Sequence, residues 1–346
     1  MKLGIIARCD DSGLGNQTHE LVKMLNPHKI FLIDSSPFNG HKQNYEWYEG
    51  RNVMRVSGVP AKPTVLNFIR DVDVVLSCET FYNKNFVPIS RNRKVKTILQ
   101  YNYEFLDYLT NRNKPLPDIL LSPSFWKLDE IKEDFGNKTR VGYLPPPTDS
   151  NIFDKNRLTN LKDSKRILHV AGKAAMHDRN GTRSVIEMLT HSKEDYELVI
   201  RTQTELDIDI KDDRVKIIVG NEKHREDMYK GFDAMILPRR YAGLCLPMNE
   251  ALMSGLPVFM TDVSPNNQIL PQEWLAQCGK TGSFQTKAEI DIFNANPEHL
   301  GFIIDEYMKT KDKTSIKEKA FNLGYENFSS DILKDKYLEI INGMLT

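Results

Sequence analysis

The sequence predicts an α/β protein built from two doubly wound, parallel-sheet domains of similar size, with helices alone at its C-terminal end. Three observations predict it. Short apolar runs recur, each followed by a turn and then by residues of helical period; a proline run interrupts this rhythm once; and the rhythm then restarts. The 346 residues, at roughly 150 per domain, leave room for two independent cores.

The first domain starts with the strand Leu3 to Ala7 and continues with Ile30 to Ile33, Val74 to Cys78, Thr97 to Leu99, Ile119 to Leu121 and Val141 to Leu144. Continuous apolar runs of this length suit strands covered by helices on both faces. Pro145-Pro146-Pro147-Thr148-Asp149 can continue neither a helix nor a central strand, so the first domain is read as residues 1–147. The second restarts with Ile167 to Ala171, Leu198 to Ile200, Val215 to Val219, Ala234 to Leu237 and Pro257 to Met260, with a helix over Thr182 to Thr190. Beyond Pro297 only helical patterns follow, at Leu300 to Met308, Ser315 to Leu323 and Ile332 to Met344.

Lys plus Arg and Asp plus Glu number 47 each, and 40% of residues are hydrophobic, which excludes a disordered chain and an all-over nucleic-acid binder. The balance conceals an asymmetry: residues 1–147 carry 20 basic and 16 acidic side chains, the remainder 27 and 31. Cys9, Cys78, Cys245 and Cys278 are spaced neither as zinc ligands nor as a redox pair. They suggest a reducing compartment, the cytoplasm. No run approaches the roughly 18 apolar residues of a membrane span, and Met1 leads straight into a strand without a signal-peptide profile.

In open parallel sheets ligands bind beyond the carboxyl ends of the strands, so two facing domains would form a deep cleft. The loops after strands are therefore the place for chemistry. After the first strand come Arg8-Cys9-Asp10-Asp11-Ser12-Gly13-Leu14-Gly15-Asn16 and a helix. Gly13 and Gly15 admit close approach of a ligand, and free N–H groups at a helix start favour an anion; a tight turn explains the glycines equally well. The dinucleotide fingerprint needs a third glycine where Thr18 stands, which disfavours a dehydrogenase. In the second domain Gly172-Lys173 and Arg179-Asn180-Gly181 place two cations six residues apart at a loop opening onto a helix, a spacing suited to clamping a diphosphate or to a solvated basic loop.

The most specific segment runs Pro238-Arg239-Arg240-Tyr241-Ala242-Gly243-Leu244-Cys245-Leu246-Pro247, then Glu250-Ala251-Leu252-Met253-Ser254-Gly255-Leu256-Pro257-Val258. It resembles the nucleotide-recognition segment of GT-B glycosyltransferases, especially retaining family 4 (glycosyl transferases group 1), whose pattern is Pro-Ser-x-x-Glu-Gly-Phe-Gly-Leu-Pro followed by Glu-Ala-Met-Ala-x-Gly-x-Pro-Val. Arg225 to Tyr229, the Gly172-Lys173 and Arg179 to Gly181 loop, Ser122-Pro123-Ser124 and Tyr143 to Phe153 resemble further parts of that family, so the resemblance covers nearly the whole chain.

The resemblance implies two facing Rossmann-like domains, residues 148–330 carrying the donor, and a helix at 331–346 that packs back toward the first domain. It implies that Glu250 binds the donor ribose, that Lys173 and Arg179 hold the diphosphate and stabilise the departing charge, and that Gly13, Gly15, Gly172, Gly243, Leu244, Cys245 and Leu246 line the donor. A helix-start acid favoured by the macrodipole is the plainer explanation of Glu250. No permanently bound cofactor is implied, only a nucleotide-diphosphate sugar as co-substrate. No metal is expected either, because Asp71-Val72-Asp73 precedes its strand and Asp207-Ile208-Asp209 lies in a polar connection.

Ala242 stands where the family pattern has a second acid, and Cys245 where it has glycine. Asp11, Glu79, Glu104 and His177 are the polar candidates that could compensate; Asp11 and Glu104 are carried as catalytic candidates. The acceptor is expected on the first domain, as a glycan, lipid-linked, protein or modified-DNA hydroxyl. The basic run Arg91-Asn92-Arg93-Lys94-Val95-Lys96 would suit an anionic lipid surface or nucleic acid, and equally a solvated loop. The compact Asp-x-Gly-Leu-Gly-Asn turn also resembles glycosyltransferases encoded by bacteriophages, which act on modified (hydroxymethylated) DNA bases or virion protein. A GT-B epimerase and a non-catalytic sugar-nucleotide binding protein are the rival readings.

Overall fold

The computed structural model describes residues 1–39, 41–173, 178–241 and 243–345. The chain divides into two units, Met1–Pro147 with Ser330–Thr346, and Thr148–Ser329. The first unit contains β1 (Leu3–Ala7), α1 (Gly13–Leu25), β2 (Lys29–Asp34), α2 (Ser36–Asn39), β3 (Val53–Ser57), α3 (Lys62–Ile69), β4 (Val74–Cys78), α4 (Phe86–Asn92), β5 (Lys96–Gln100), β6 (Ile119–Ser122), α5 (Leu128–Phe135) and β7 (Arg140–Tyr143). Among the described residues these strands form one seven-stranded sheet in the order β3-β2-β1-β4-β5-β6-β7, every pairing parallel.

Burial follows position in the sheet. Every residue of the central β1 and β4 is buried, whereas the edge strand β3 is half-exposed. Helix α1 starts where the Ser12 hydroxyl accepts from the Gly15 N–H at 3.1 Å and stops at Asn26, whose φ of 44° is left-handed.

The second unit contains α6 (Ser150–Asn160), β8 (Arg166–Gly172), α7 (Thr182–Met188), β9 (Glu197–Thr202), β10 (Val215–Val219), β11 (Ala234–Ile236), α8 (Leu246–Met253), β12 (Val258–Thr261), β13 (Leu275–Ala276), β14 (Cys278–Gln285), β15 (Glu289–Ala295), α9 (Pro297–Lys309) and α10 (Lys313–Phe328). Its parallel sheet has the order β10-β9-β8-β11-β12-β13, and β14 and β15 form a separate antiparallel hairpin. An enclosed ion pair fixes the entry to β11: Lys317 on α10 donates to Asp233 at 2.7 Å, with both side chains fully buried.

The last helix, α11 (Ser330–Asn342), belongs to the first unit. Leu333, Tyr337 and Ile341, four residues apart, form its buried stripe in that unit's core. The Tyr337 hydroxyl accepts from Gln100 Nε2 at 2.8 Å and donates to the Pro145 carbonyl at 3.0 Å. Among the described residues no helix is long and apolar enough to cross a membrane, and the four cysteines are free thiols, only Cys278 being part-exposed.

Candidate functional site

Each sheet reverses its order once, between β1 and β4 in the first unit and between β8 and β11 in the second. Such a reversal splays the following loops apart and leaves a crevice beyond the strand ends. The loops after these four strands hold most of the residues singled out by sequence.

After β8, Gly172 has φ +71°, and its carbonyl accepts from the Gln203 N–H at 2.8 Å and the Thr202 hydroxyl at 3.1 Å. Lys173 is exposed. Ala174 to His177 lie outside the described residues, and with them the candidate His177. The loop returns through Asn180, whose side-chain amide donates to the Val170 and Ala171 carbonyls at 3.0 Å each. The helix N-terminus expected to greet an anion is already occupied: Asp178 accepts from the N–H groups of Thr182 at 2.9 Å and Arg183 at 3.0 Å. A local carboxylate therefore takes the role assigned to a phosphate at the start of α7, and Lys173 and Arg179 remain as the cations of this loop.

The loop after β11 packs directly on the first. A Cβ on Gly181 would lie 2.3 Å from the Pro238 carbonyl oxygen, and Arg240 donates its N–H to the Arg179 carbonyl at 2.9 Å. The Arg179 guanidinium sits 5.1 Å from the centre of the Tyr241 ring, a cation–π contact. The hairpin, which the sequence reading did not include, braces the same loop: Phe293 donates to the Arg240 carbonyl at 3.0 Å, and Arg240 Nε to Asn294 at 2.6 Å. Tyr241 meets Phe284 edge-on at 4.9 Å.

Beyond Ala242, which is outside the described residues, Gly243 to Leu246 lead into α8. Cys245 occupies the N-cap without a capping side-chain bond, and Pro247 at the helix start has no N–H to offer. The N–H groups of Gly243, Leu244, Cys245 and Leu246 donate to nothing among the described residues. Orphan donors of this kind at a helix start suit an anion. Arg239 lies beside them, 6% exposed, donating from Nη1 to the Leu244 carbonyl at 2.7 Å. Sequence reasoning passed over Arg239, because only the fold shows that it is enclosed.

Glu250 stands one turn into α8 and is 3% exposed. Tyr229 donates its hydroxyl to Oε2 at 2.6 Å, and Arg225 Nε lies 3.3 Å from Oε1. Burial pushes the carboxyl above its ordinary range, while Arg225 and the Tyr229 hydroxyl pull it partly back. Both oxygens thus already have protein partners, which sequence spacing could not reveal.

In the first unit the enclosed acid after β1 is Asp10 rather than the candidate Asp11. Asp10 is 0% exposed; it accepts from Arg8 Nε at 2.7 Å, the Ser12 N–H at 3.1 Å and the Ser35 hydroxyl. Burial alone would raise its carboxyl, but these donors hold it low. Asp11 faces His41 at 3.4 Å. Gly15 has a local reason to be glycine, since a Cβ would sit 1.9 Å from the Asp10 carbonyl oxygen, and Gly13 is exposed at the first position of α1.

After β4, Glu79 and Tyr82 adopt left-handed φ of 62° and 61°, a strained backbone of the kind that collects at ligand sites. Asn102 donates to Glu79 at 3.1 Å, and Glu104 is buried in the turn after β5. A hollow here is lined by Glu79, Tyr82, Lys84, Phe105, Asp107 and Lys114, among others. The basic run 91–96 leads into the amino end of β5, the sheet edge away from these loops, and Lys96 pairs with Asp118 at 3.2 Å. Among the described residues no group of three or more His, Cys, Asp or Glu could hold a metal ion.

No family model matches this sequence, and no curated protein does. The fold, in contrast, has solved counterparts. HepE of Anabaena, in complex with UDP and glucose, matches with a TM-score of 0.69 at 11% identity, over 99% of this chain and 100% of HepE. A glycosyltransferase of Rickettsia africae matches with 0.70 at 14% identity, over 100% and 98%. The chain has the two-domain GT-B fold. Sucrose-phosphate synthase of Thermosynechococcus elongatus, with a TM-score of 0.66 at 10% identity over 100% and 99% of the chains, shares it. Identities this low establish the GT-B architecture alone, so the site residues rest on their own geometry.

Proposed function

We propose that this chain is a glycosyltransferase that moves a sugar from a nucleoside diphosphate sugar to an acceptor hydroxyl, with retention and without a metal ion. The observation that carries the reading is the row of N–H groups at Gly243 to Leu246 that find no acceptor among the described residues, in the loop after β11 that packs on the Arg179 loop at the reversal of the second sheet. An apolar substrate would leave those donors bare, whereas a diphosphate satisfies them. Solved GT-B neighbours include HepE with UDP-glucose, which makes UDP-glucose the first donor to try.

The anomeric carbon's bond to the β-phosphate oxygen breaks and its electron pair stays on that phosphate. The acceptor oxygen bonds to the same face of the sugar, and its proton passes to the departing phosphate oxygen. Lys173, Arg179 and the N–H row stabilise the charge as it develops, and positioning does the rest. Glu250 accepts from the ribose hydroxyls through the lone pairs that Tyr229 and Arg225 leave free. The acceptor takes the hollow after β4 and β5, where Phe105, 46% exposed, offers a face for a sugar ring. Glycan, lipid-linked, protein and hydroxymethylated-base hydroxyls all meet this chemistry. The free thiols fit a cytoplasmic site of action.

Thermal denaturation with a panel of nucleotide sugars tests the reading. A bound donor at one hundred times its Kd adds about 2.7 kcal/mol of stability, and Lys173→Ala should weaken that response without lowering the melting temperature of the free protein. If no nucleotide sugar raises the melting temperature, the reading fails. Ala242, in place of the family's acid, favours one second reading, a binding protein without transfer; donor binding with neither transfer nor hydrolysis would select it.

A further inference from the structure

Three cations are at least nine-tenths buried among the described residues: Arg239, Lys313 and Lys317. Lys317 has Asp233 at 2.7 Å, and Lys313 has Asp163 at 3.1 Å. Arg239 has no carboxylate within ion-pair distance among the described residues. Among the described residues the guanidinium makes one hydrogen bond, to a neutral acceptor, the Leu244 carbonyl, and its Nε is buried with no partner there. A guanidinium carries five donors and does not lose its proton, so enclosing it this way is costly unless an anion completes it. The same turn holds the N–H groups of Gly243 to Leu246, which find no acceptor among the described residues. Two sets of donors, one charged and one backbone, therefore share one turn, and no carboxylate among the described residues pairs with the guanidinium.

We infer that Arg239 is a phosphate ligand of the donor site, binding the diphosphate together with the N–H groups at the start of α8. The inference rests on the donor reading above and adds to it a cation that the resembled pattern does not have: that pattern carries Ser at position 239 and Glu at 242, where this chain has Arg and Ala. The turn has gained a positive charge and lost a negative one. A fork of fixed donors suits phosphate oxygens, and Arg239 is pre-organised by its bond to Leu244, so it is in place before ligand arrives. Lys173 and Arg179 then act on the diphosphate from the β8 loop, and Arg239 from the β11 loop.

Calorimetric titration with inorganic pyrophosphate and with UDP tests this, on the full chain and its Arg239→Gln and Arg239→Lys variants. Arg239→Gln should weaken pyrophosphate and UDP about tenfold, and Arg239→Lys, which keeps the charge and loses the fork, by less. A folded Arg239→Gln protein that binds both within twofold of wild type overturns the inference and leaves the donor reading standing. Because a buried position is altered, hydrogen exchange of the unaltered protein supplies a second readout: saturating pyrophosphate should slow exchange at Gly243 to Leu246, and no slowing there overturns the inference even if the variants do not fold. Slowing by pyrophosphate with no response to any nucleotide sugar keeps the anion site and sinks the donor reading. No response to either ligand overturns both.

Discussion

Thr182 donates its hydroxyl proton to Nε2 of His169 at 2.9 Å, while Nδ1 of the same ring lies 2.8 Å from the Ile236 carbonyl. A carbonyl can only accept, so Nδ1 carries the proton and Nε2 is the acceptor. The ring thereby ties β8, the start of α7 and the end of β11 together beneath the loops that follow β8 and β11.

Burial lowers the His169 imidazole below its usual range. The folded state therefore binds fewer protons than the unfolded one just below the ordinary His value of about 6.5. The stability this confers is complete above that value and is lost as pH falls through the folded one. Urea unfolding of wild type and His169→Asn should show a wild-type advantage of about 1–3 kcal/mol at neutral pH that shrinks toward pH 5. An advantage that stays flat or grows on acidification would contradict the neutral ring.

Glu250 should behave with the opposite sign. Its carboxyl is raised by burial, so the folded state binds more protons than the unfolded one above the ordinary Glu value of about 4.5. Stability is then lost as pH rises through that window. Glu250→Gln, which does not titrate, should gain on wild type from pH 4.5 upward. Tyr229→Phe removes the donor at Oε2 and should cost about 1–3 kcal/mol at neutral pH, and less near pH 5, where the carboxyl is more nearly neutral. A cost that grows on acidification would show that Tyr229 is not supporting the charged form.

What the sequence made readable, and what it hid, follows from burial. The runs at 3–7 and 74–78 became β1 and β4, buried throughout, because a strand covered on both faces has to be apolar without interruption. Strand β3 and the hairpin went unread for the converse reason. β3 is an edge with Arg55 in it, and β14, with Lys280, Thr281 and Ser283, is exposed along most of its length. Helix α6 was hidden by the prolines before it, although Asp149 caps its start by accepting from the Asn151 N–H at 3.0 Å. At the site, motif spacing pointed to the loops, but which charges are enclosed is a tertiary fact. Asp10 and Arg239 are buried, and their sequence neighbours Asp11 and Arg240 are less so.

Two glycines should prove sensitive for steric reasons alone. Gly15→Ala would put Cβ 1.9 Å from the Asp10 carbonyl oxygen, and Gly181→Ala 2.3 Å from that of Pro238, the latter at φ +71°. Neither obstacle is a flexible side chain, so backbone has to move, at a cost of about 3 kcal/mol. Gly282→Ala, with nothing within 4 Å, is the control and should stay within about 0.5 kcal/mol of wild type. Equal denaturation midpoints for all three variants would refute the close approaches.

The pair Asp233 and Lys317 allows a stricter test because its surroundings are known in detail. Asp233 also accepts from the N–H groups of Ser164 at 3.1 Å and Lys165 at 2.9 Å, and its own carbonyl accepts from the Tyr307 hydroxyl at 2.6 Å. Lys317→Met removes the enclosed cation and leaves Lys313, at 3.6 Å, as the remaining positive partner, so a loss of about 3–5 kcal/mol is expected. Asp233→Asn keeps the shape but turns one of the two accepting oxygens into an NH2 that meets a donor, and it leaves the ammonium without its counter-charge, which should be comparably costly. Once one charge is gone, removing the other relieves a penalty, so the double variant should lose clearly less than the two single losses combined. Urea unfolding of the four proteins measures the coupling directly, and losses that add to within about 0.5 kcal/mol would show that the two groups do not interact in the way their 2.7 Å separation implies.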